Sequence, residues 1–534
     1  MSLAVMASRL LGLVREIVFA YFFGASKSFA NDAFVIAFRI PNLLRDLFAE
    51  GALSSAFVTV FSDYLVTKDE KEAFRLSNLV ATTLIVVLGI LVVLGVIFAP
   101  QVVTAIARGF EEDREKFELT VRLTRIMMPF ILLVALAAQA MGVLNARDRF
   151  GVPAMASTFF NVGSIIGGLA AAAFLADPTF SHPISSIVEK PTEGIIGMAY
   201  GVLIGGFFQY AFQWPSLRKA GFRYRPILSF TDPGLRRIFA LMGPAVIGAA
   251  AVQVNVLVNS NFASSIPTET GDGPVSWLNY SFRLMQFPIG VFGVAIATAT
   301  LPAISRSAAR KDVKEFQHTL AGSIRLAFLL TIPSAVGLIV LGRPIIELIY
   351  ERGHFGRADT QHTASALAFY AIGLAGYAAV RILAPAFYAL NDARTPMMIS
   401  LLSIAANFVM NWMLVGVLQE RGLALSTSTV ALMNFALLYA IMRRRVDGIE
   451  GRRTGITVAK IAAASAVMGA ACWAISNAIG RFAGPGFSAR AANVFISVTA
   501  GAGIFYLVAS ALRVEELKAA TEVLIKRFAR RPRP

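Results

Sequence analysis

The sequence predicts an all-α polytopic membrane protein, and three observations lead to this fold class. Of the 534 residues, 56% are hydrophobic and only 15% are charged, whereas about 25% of a typical soluble domain is charged. The mean hydropathy is +0.66. Apolar stretches of about 20 residues, long enough to cross the hydrocarbon core of a bilayer, recur along the chain.

Fourteen of these apolar stretches are expected to be transmembrane helices. The clearest cover residues 76–99 and 461–479. The first of the fourteen stretches begins close to Met1, without a preceding basic segment or a small-residue cleavage site, so we expect no removable signal peptide. The centres of the fourteen lie near residues 13, 44, 88, 132, 162, 206, 248, 290, 331, 375, 406, 432, 467 and 501.

The net charge of +17 is distributed unevenly between the predicted connections. Connections after even-numbered spans, together with the C-terminal tail, hold thirty of the 49 Lys and Arg residues, whereas connections after odd-numbered spans hold eleven. Because cytoplasmic segments are enriched in Lys and Arg, we expect both termini in the cytoplasm. Most of the excess charge therefore indicates topology, and no nucleic-acid-binding motif accompanies it.

Two short motifs recur about 245 residues apart. The Phe-Arg pair at 38–39 resembles that at 282–283, and the segment 144–147 resembles 390–394. Six spans separate the copies, an even number, so both have one orientation, as in parallel repeats related by an axis along the membrane normal. Chance similarity between short membrane motifs is the alternative. We expect two six-helix lobes in a pseudo-two-fold parallel repeat, at 1–220 and 221–445, then a helix pair at 446–512 and a basic cytoplasmic tail at 513–534.

Eight basic residues remain inside the predicted spans, and all eight are arginines. Each costs at least about 2.5–3.5 kcal/mol at mid-bilayer, which indicates a function. The planar guanidinium suits bidentate phosphate binding, so a substrate bearing a phosphate or diphosphate in a hydrated cavity is favoured. Interhelical ion pairs and snorkelling near span ends are the alternatives. The eight are Arg9, Arg15, Arg39, Arg45, Arg122, Arg125, Arg283 and Arg381.

The first span carries a carboxylate beside its arginines. At about 100° per residue, Arg9 and Glu16 lie within about 20° of each other, whereas Arg15 lies about 120° from Arg9. Arg9 is therefore predicted to share a face with an acid. Glu16 is adjacent to Arg15 in sequence, but adjacent helical residues do not face each other, so Arg15 is expected to be less well matched.

The second span repeats this arrangement, with Asp32 near its outer end. Arg39, Asp46 and Glu50 share one predicted face, and Arg45 lies about 120° from Arg39. A kink at Pro41 would loosen this calculation. Arg45 is therefore expected to be less well matched, like its counterpart in the first span.

The arginines differ in their predicted depth. Arg122 and Arg125 lie near the start of the fourth span, where snorkelling is favoured. For Arg381 the choice between structure and function stays open. The arginines well inside their spans, for which a binding function is favoured, are Arg15, Arg45 and Arg283.

Motifs for catalysis do not occur in the sequence. It has no G-x-x-x-x-G-K-[ST] phosphate loop, no H-E-x-x-H zinc motif and no G-x-S-x-G nucleophile elbow. The single cysteine, Cys472, excludes an intrachain disulfide. We expect a transporter rather than an enzyme, with no cofactor and no metal site.

Several segments of the chain resemble the MurJ (MviN) family of lipid II flippases, a branch of the multidrug/oligosaccharidyl-lipid/polysaccharide (MOP) exporter superfamily. They are SRLLGLVRE at 8–16, DAF at 32–34, PNLLR at 41–45 and FAEGA at 48–52. The C-terminal half adds VSW through RLMQFP at 275–288, and LAP through TP at 383–396. The similarity extends over nearly the whole chain.

This resemblance implies a multi-pass bacterial inner-membrane protein of peptidoglycan synthesis. It implies that the undecaprenyl-diphosphate-linked precursor (MurNAc-pentapeptide-GlcNAc) moves from the cytoplasmic to the periplasmic leaflet by alternating access. Membrane potential or an ion gradient would drive this, and the last two helices would hold the lipid tail. We expect a monomer that contacts membrane lipids and no nucleic acid. The residues assigned to the diphosphate are Arg15, Arg45 and Arg283; those assigned to shaping and gating the cavity are Arg9, Glu16, Asp32, Arg39, Asp46 and Glu50.

The chain departs from the family in a few places. Phe282 and Gln286 stand where some relatives carry acids, and Glu16 stands where Asp is usual. Some members bind sodium, and coupling to Na⁺ or H⁺ stays open because the candidate ligands here are Asp392 and two asparagines of the seventh span. The alternatives are a cation-coupled drug exporter or another polysaccharide-lipid exporter of the superfamily, and a non-transporting membrane scaffold.

Overall fold

The computed structural model describes residues 2–46, 53–268, 272–482, 484 and 486–517. Within these ranges every regular element is a helix and no strand occurs, which confirms the predicted all-α class. The chain divides into two compact units. The first comprises Met1–Ser276 and Arg352–Gly356, and the second comprises Trp277–Glu351 and Arg357–Pro534.

The described part of the first unit contains twelve complete helices and a short 3-10 helix at Arg108–Glu112. Residues 47–52, between the second and third helices, lie outside the described ranges. The helices are α1 (Ser2–Phe23), α2 (Ala30–Arg45), α3 (Ser54–Thr67), α4 (Glu70–Ile97), α5 (Ala99–Ile106), α6 (Arg114–Met127), α7 (Phe130–Asn145), α8 (Gly151–Ala176), α9 (Pro183–Glu189), α10 (Pro191–Ala211), α11 (Trp214–Lys219) and α12 (Pro233–Ser264).

The second unit begins within a helix whose first turn belongs to the first unit. After Pro288 that helix passes into a π-helical turn at Ile289–Gly293, as expected where proline removes a backbone donor. The helices are α13 (Pro274–Pro288), α14 (Val294–Ala309), α15 (Val313–Ile349), α16 (Arg357–Ile372), α17 (Leu374–Ala389), α18 (Arg394–Leu418), α19 (Glu420–Arg445), α20 (Gly451–Phe482) and α21 (Phe487–Ala511).

Ten helical segments of the described chain are long and apolar enough to cross a membrane. Counting α16 and α17, which are bent by 43° against each other, as one span gives eleven. The chain is therefore a multi-pass membrane protein, as predicted. The expected first, second and seventh spans, which correspond to α1, α2 with α3, and α12, are not among the eleven. The first two of these carry four of the arginines inside the predicted spans.

Aspartate side chains begin several of the long helices. Asp69 accepts a hydrogen bond from the backbone N–H of Glu72 at 2.8 Å at the start of α4, and Asp312 accepts one from Glu315 at 3.0 Å at the start of α15. Asp113 and Asp232 cap α6 and α12 in the same way. Such caps satisfy backbone donors that have no partner within the helix.

Helices α8 and α10 approach each other closely through small residues. The glycine spacing of α10 is typical of close helix packing, since Gly197, Gly201 and Gly205 recur at every fourth position. A Cβ atom on Gly201 would lie 2.4 Å from the Cα of Gly168, and one on Gly197 would lie 2.2 Å from the Cα of Ala172. At Gly197 and Gly201, therefore, only glycine fits.

Each unit has its own apolar core. In the first unit α3, α4 and α7 contribute buried side chains such as Phe57, Leu76 and Leu144. In the second unit α15 runs through the centre and packs against α14, α16, α17, α20 and α21. Its buried residues include Leu320 and Phe328.

Candidate functional site

Arg15 of α1 is packed between two aromatic rings. Its guanidinium carbon lies 5.8 Å from the ring centre of Phe38 on α2 and 5.6 Å from that of Phe160 on α8. Its Nη2 donates to Oε1 of Glu16 at 3.4 Å, and both side chains are largely buried. The aromatic faces and the carboxylate together stabilise a cation that would otherwise be costly to bury.

Arg45 at the end of α2 makes a similar pair with the next residue. Its Nε and Nη2 donate to Oδ1 of Asp46 at 3.3 and 3.0 Å. The expectation that Arg15 and Arg45 are poorly matched by the acids beside them is therefore wrong. The helical period describes where Cβ atoms point, whereas the long arginine stem bends back along the helix and reaches an adjacent carboxylate.

The other charged face of α2 contacts α12. Arg39 donates to the hydroxyl of Ser260, and Gln253 Nε2 donates to Oδ2 of Asp46 at 3.3 Å. The two contacts are seven residues apart on each helix and run in opposite directions, so this part of α2 lies antiparallel to α12. Seven residues are close to two full turns, which confirms that Arg39 and Asp46 share a face.

Asp32, near the start of α2, belongs to a buried ionic cluster that we call the Lys116 cluster. Lys116 Nζ of α6 donates to Asp32 Oδ2 at 3.2 Å and to Asp272 Oδ1 at 2.9 Å. The backbone N–H groups of Gly273 and Ser276 donate to Asp32 at 3.0 and 2.9 Å, and the Ser276 hydroxyl donates at 2.5 Å. Asp32 thus ties α2 to α6 and to the first turn of α13.

The electrostatics of the Lys116 cluster follow from its burial. The Lys116 side chain is 3% exposed and its ammonium lies 4.3 Å from the ring centre of Phe110. Burial raises the pKa of the Asp272 carboxyl above its ordinary value, although the Lys116 ammonium acts in the opposite direction. Removing one partner from such a group leaves an uncompensated buried charge.

The sequence alone does not identify Lys116 and Asp272 as part of the site, because both lie in connections between the predicted spans. A signal was present in the period of α6. Lys116, Thr120 and Thr124 recur at every fourth residue, and all three side chains are buried. The hydroxyls of the two threonines donate to the carbonyl four residues earlier, at 2.7 and 2.8 Å. A polar stripe of this kind marks a helix face directed at other polar groups.

The remaining predicted residues lie elsewhere. Arg9 of α1 and Arg283 of α13 are exposed. Arg381, on α17, is also exposed, and within the described residues it makes no hydrogen bond or ion pair. Glu50 lies outside the described ranges. Arg122 and Arg125 are exposed on α6.

Possible ion ligands are few in the described residues. These contain no group of three or more His, Cys, Asp or Glu side chains able to hold a metal ion. Asp392 accepts hydrogen bonds from the backbone and hydroxyl of Thr395 at 3.0 and 2.7 Å and pairs with Arg445. The Thr395 hydrogen bonds and the Arg445 guanidinium hold the pKa of Asp392 below its ordinary value. Asn255 has a buried side-chain oxygen without a hydrogen-bond partner.

Comparison with known proteins connects this arrangement to one family. The family model described as "Lipid II flippase MurJ" matches residues 19–491. The probable lipid II flippase MurJ of Vibrio cholerae is 35% identical over 525 residues, which cover 96% of each chain. The lipid II flippase MurJ of Burkholderia cenocepacia is 37% identical over 442 residues, which cover 82% of this chain and 81% of that one.

Solved structures show the same fold. The structure described as "Lipid II flippase MurJ, inward closed conformation" superposes with a TM-score of 0.75 at 26% identity, covering 95% of this chain and 97% of that one. An inward-facing multidrug resistance MATE family transporter of the MOP superfamily gives a TM-score of 0.61 at 14% identity, covering 82% and 99%; this likeness concerns the fold alone. The chain belongs to the MurJ family of lipid II flippases.

Proposed function

We propose that this chain is a lipid II flippase. It moves the undecaprenyl-diphosphate-linked peptidoglycan precursor from the cytoplasmic to the periplasmic leaflet of the bacterial inner membrane. The observation that carries the proposal is the family match over residues 19–491, together with 35% identity to a relative over 96% of the chain. The activity of the protein in this proposal is transport by alternating access rather than catalysis.

Arg15, Arg45 and Arg283 bind the diphosphate in this proposal. A guanidinium offers a planar fork of donors that fits two phosphate oxygens at once. In the structure Arg15 and Arg45 each hold an adjacent carboxylate, which keeps their charge compensated before the substrate arrives. The diphosphate then competes with Glu16 and Asp46 for these donors, so binding of the substrate and release of the carboxylates are one exchange.

The residues that shape and gate the cavity would be Arg9, Glu16, Asp32, Arg39, Asp46 and Glu50. Support comes from the contacts of Asp32, which hold α2, α6 and the start of α13 together in one buried cluster. Opening a path there requires those contacts to break. Arg39 and Asp46 join α2 to α12 in the same unit.

The topology and energy source belong to the same proposal. Fourteen helices form two six-helix lobes, at 1–220 and 221–445, and a lipid-tail pair at 446–512, and a basic tail follows at 513–534. Both termini face the cytoplasm, and the protein acts as a monomer without nucleic acid. A membrane potential, negative inside, acts on a cationic cavity with about 2.3 kcal/mol per charge per 100 mV, which resets the transporter without ATP. An ion gradient is the alternative driving force.

To test this function, the wild type, Arg45→Ala and Arg122→Ala are each expressed in cells depleted of their own flippase. Arg122 is the matched control, because it is an exposed arginine of a predicted span with no assigned role. The measurement is the fraction of lipid II accessible to a membrane-impermeant reagent outside the cell. We expect flipping by the wild type and Arg122→Ala and none by Arg45→Ala, with folded protein in all three membranes. Normal flipping by Arg45→Ala would contradict the diphosphate assignment, and no flipping by the wild type would contradict the function.

A further inference from the structure

A cavity of about 500 Å³ opens in the second unit where α20 begins and α21 ends. It is an open depression at the ends of two helices that are long and apolar enough to cross the membrane. Its polar wall is rich in charge. The basic residues that line it are Arg452, Arg453, Lys460 and Arg513, and the acidic ones are Glu450 and Glu515.

Neighbouring cations already compensate the two acids of this cavity. Glu450 Oε2 accepts from Arg325 Nη1 at 2.8 Å, and Arg325 is not part of the cavity wall. Glu450 Oε1 also contacts His318 Nδ1 at 2.8 Å. Glu515 pairs with Arg453. Among the described residues neither acid forms an ion pair with the remaining basic side chains of the wall, although the Glu515 carboxylate lies close enough to Lys460 to interact with its charge.

Those remaining side chains are Arg452, Lys460 and Arg513. In the described part of the chain the guanidinium groups of Arg452 and Arg513 form no hydrogen bond or ion pair. Lys460 Nζ donates to the backbone oxygen of Arg513 at 3.5 Å, which is its one hydrogen bond within the described residues. The 32-residue helix α20 also begins at this cavity, and its N-terminus adds partial positive charge to the wall. The wall thus presents three cations and a helix terminus to one ligand.

The other wall of the cavity is apolar. Ile456 lines it and is 50% exposed, and it lies one turn after Arg452 on the same face of α20. Further along this helix Val467 and Trp473 are exposed as well. A ligand that fills the cavity therefore meets cationic groups at one end and an exposed hydrocarbon surface at the other.

We propose that this cavity, the α20 pocket, binds the phosphate of an anionic phospholipid head group. Arg452, Lys460 and Arg513 hold the phosphate, and an acyl chain lies beside Ile456. Basic pockets at the cytoplasmic ends of transmembrane helices bind such head groups through charge and hydrogen bonds. In the proposed topology this end of α20 and α21 faces the cytoplasmic leaflet. The inference concerns a lipid other than the transported one, and it does not depend on the identity of the substrate.

Two other occupants fit the observations less well. The C-terminal residues 518–534 contain six Lys and Arg and one Glu, so their charge repels that of the pocket. A free phosphate ion would use the cations but not the exposed apolar wall. An amphipathic anion uses both.

The test measures thermal unfolding of the purified full chain in dodecyl maltoside, followed by tryptophan fluorescence. Dioleoylphosphatidylglycerol, dioleoylphosphatidylcholine or inorganic phosphate is added in increasing amounts. The pocket variant is Arg452→Gln/Arg513→Gln. The matched control is Arg394→Gln/Arg444→Gln, which removes two exposed arginines from the same predicted side of the membrane but outside the pocket.

We expect phosphatidylglycerol, but neither phosphatidylcholine nor phosphate, to raise the Tm of the wild type and the control. The pocket variant should need at least about tenfold more phosphatidylglycerol for the same rise, since each basic residue near a membrane surface contributes about 1 kcal/mol to anionic-lipid binding. Lipid II flipping by the pocket variant should persist, which separates this proposal from the proposed function.

Three outcomes would overturn the proposal. An unchanged response of the pocket variant would show that the lipid binds elsewhere. An equal weakening in the control would show binding to general surface charge, and an equal response to inorganic phosphate would show a simple anion site. Should the double variant fail to fold, Arg452→Gln alone decides the question, because this exposed side chain makes no contact that the fold requires.

Discussion

In the described residues, each unit contains a buried cation between two carboxylates. In the first unit Lys116 lies between Asp32 and Asp272, and in the second Arg325 lies between Glu450 and Glu516, at 2.8 and 2.5 Å. The two cationic side chains are buried to the same degree, 3% and 2% exposed. What differs is the surroundings of the carboxylates.

In the Lys116 cluster the acids have little contact with solvent. Asp32 is 1% exposed and takes its other hydrogen bonds from backbone N–H groups at the start of α13. The side chain of Glu450, by contrast, is 26% exposed and is shared with His318 and Arg453. Loss of one partner therefore leaves the acids of the first cluster without compensation, whereas in the second cluster Glu450 keeps other partners and only Glu516, which is 8% exposed, depends on Arg325 for its ion pair in the described residues.

The two clusters also connect different parts of the molecule. The Lys116 cluster joins α2, α6 and the first turn of α13, and it includes a residue assigned to gating. Arg325 of α15 joins the residues that precede α20 and follow α21, so it fastens the C-terminal helix pair to its unit. We infer that the first cluster is a contact that opens during transport and the second a permanent tie.

The largest expected effect is that of Lys116→Met. It leaves two buried carboxylates facing each other without a cation, which should lower the free energy of unfolding by about 3–5 kcal/mol. Thermal unfolding in detergent measures this as a fall in Tm. The double variant Lys116→Met/Asp272→Asn removes one of the two charges and should recover part of the loss. A double variant as unstable as the single one would show that packing, not charge, explains the effect.

A smaller loss is expected for Arg325→Met. Glu450 keeps His318 and Arg453 as partners and is partly solvated, so only Glu516 loses its ion pair. The loss should be about 2 kcal/mol, typical of a hydrogen bond to a charged group. The same unfolding measurement applies. A loss as large as that of Lys116→Met would abolish the distinction between the clusters.

The dependence of stability on pH should have opposite signs in the two clusters. Burial raises the pKa of Asp272, so its contribution to stability grows as pH falls through its folded-state value. Burial of Glu450 acts to raise its pKa too, but hydrogen bonds from His318 and Arg325 outweigh it and hold the pKa below its ordinary value. Its contribution is therefore lost as pH falls from the ordinary carboxyl pKa, about 4.3, towards the lowered one.

Unfolding of the wild type, Asp272→Asn and Glu450→Gln between about pH 5.5 and 3.5 measures these signs. As pH falls, the wild type should gain stability relative to Asp272→Asn and lose its advantage over Glu450→Gln. Parallel curves for the two variants would mean that the two carboxyls titrate alike. This is the smallest of the expected effects, because each variant changes one titrating group.

Much of the fold was predictable, because hydrophobic length and period are local properties. The all-helical membrane class and most spans follow from apolar stretches alone, and close packing of α10 follows from the spacing of Gly197, Gly201 and Gly205, whereas its partner α8 is seen only in the structure. Among the predicted spans that are not in the eleven long apolar ones of the described chain, α1 and α2 are those in which arginines and acids interrupt the apolar pattern. The lobes and their repeat stay a prediction.

The site was predictable only in part. The helical period places Arg39 and Asp46 on one face, which their contacts with α12 confirm. It fails for Arg15 and Arg45, because a flexible side chain reaches acids that the period places elsewhere. Lys116 bonds to Asp32 and to Asp272, which are 84 and 156 residues away from it in sequence, and no local pattern predicts contacts of such range.

Cysteine labelling compares the two clusters during transport most directly. Thr120 and Ser323 are matched probes: both are buried, both lie within four residues of the cluster cation on its helix, and both hydroxyls donate to the carbonyl four residues earlier. Thr120→Cys and Ser323→Cys are introduced separately together with Cys472→Ser, which removes the single native cysteine. Membranes holding each variant are treated with N-ethylmaleimide, with and without lipid II and a membrane potential.

If the Lys116 cluster opens in each cycle, as we infer, labelling of Thr120→Cys accelerates when lipid II and the potential are supplied, and labelling of Ser323→Cys stays slow. Equal rates at the two positions, or acceleration only at Ser323→Cys, would contradict the assignment of the Lys116 cluster as the part of the protein that opens.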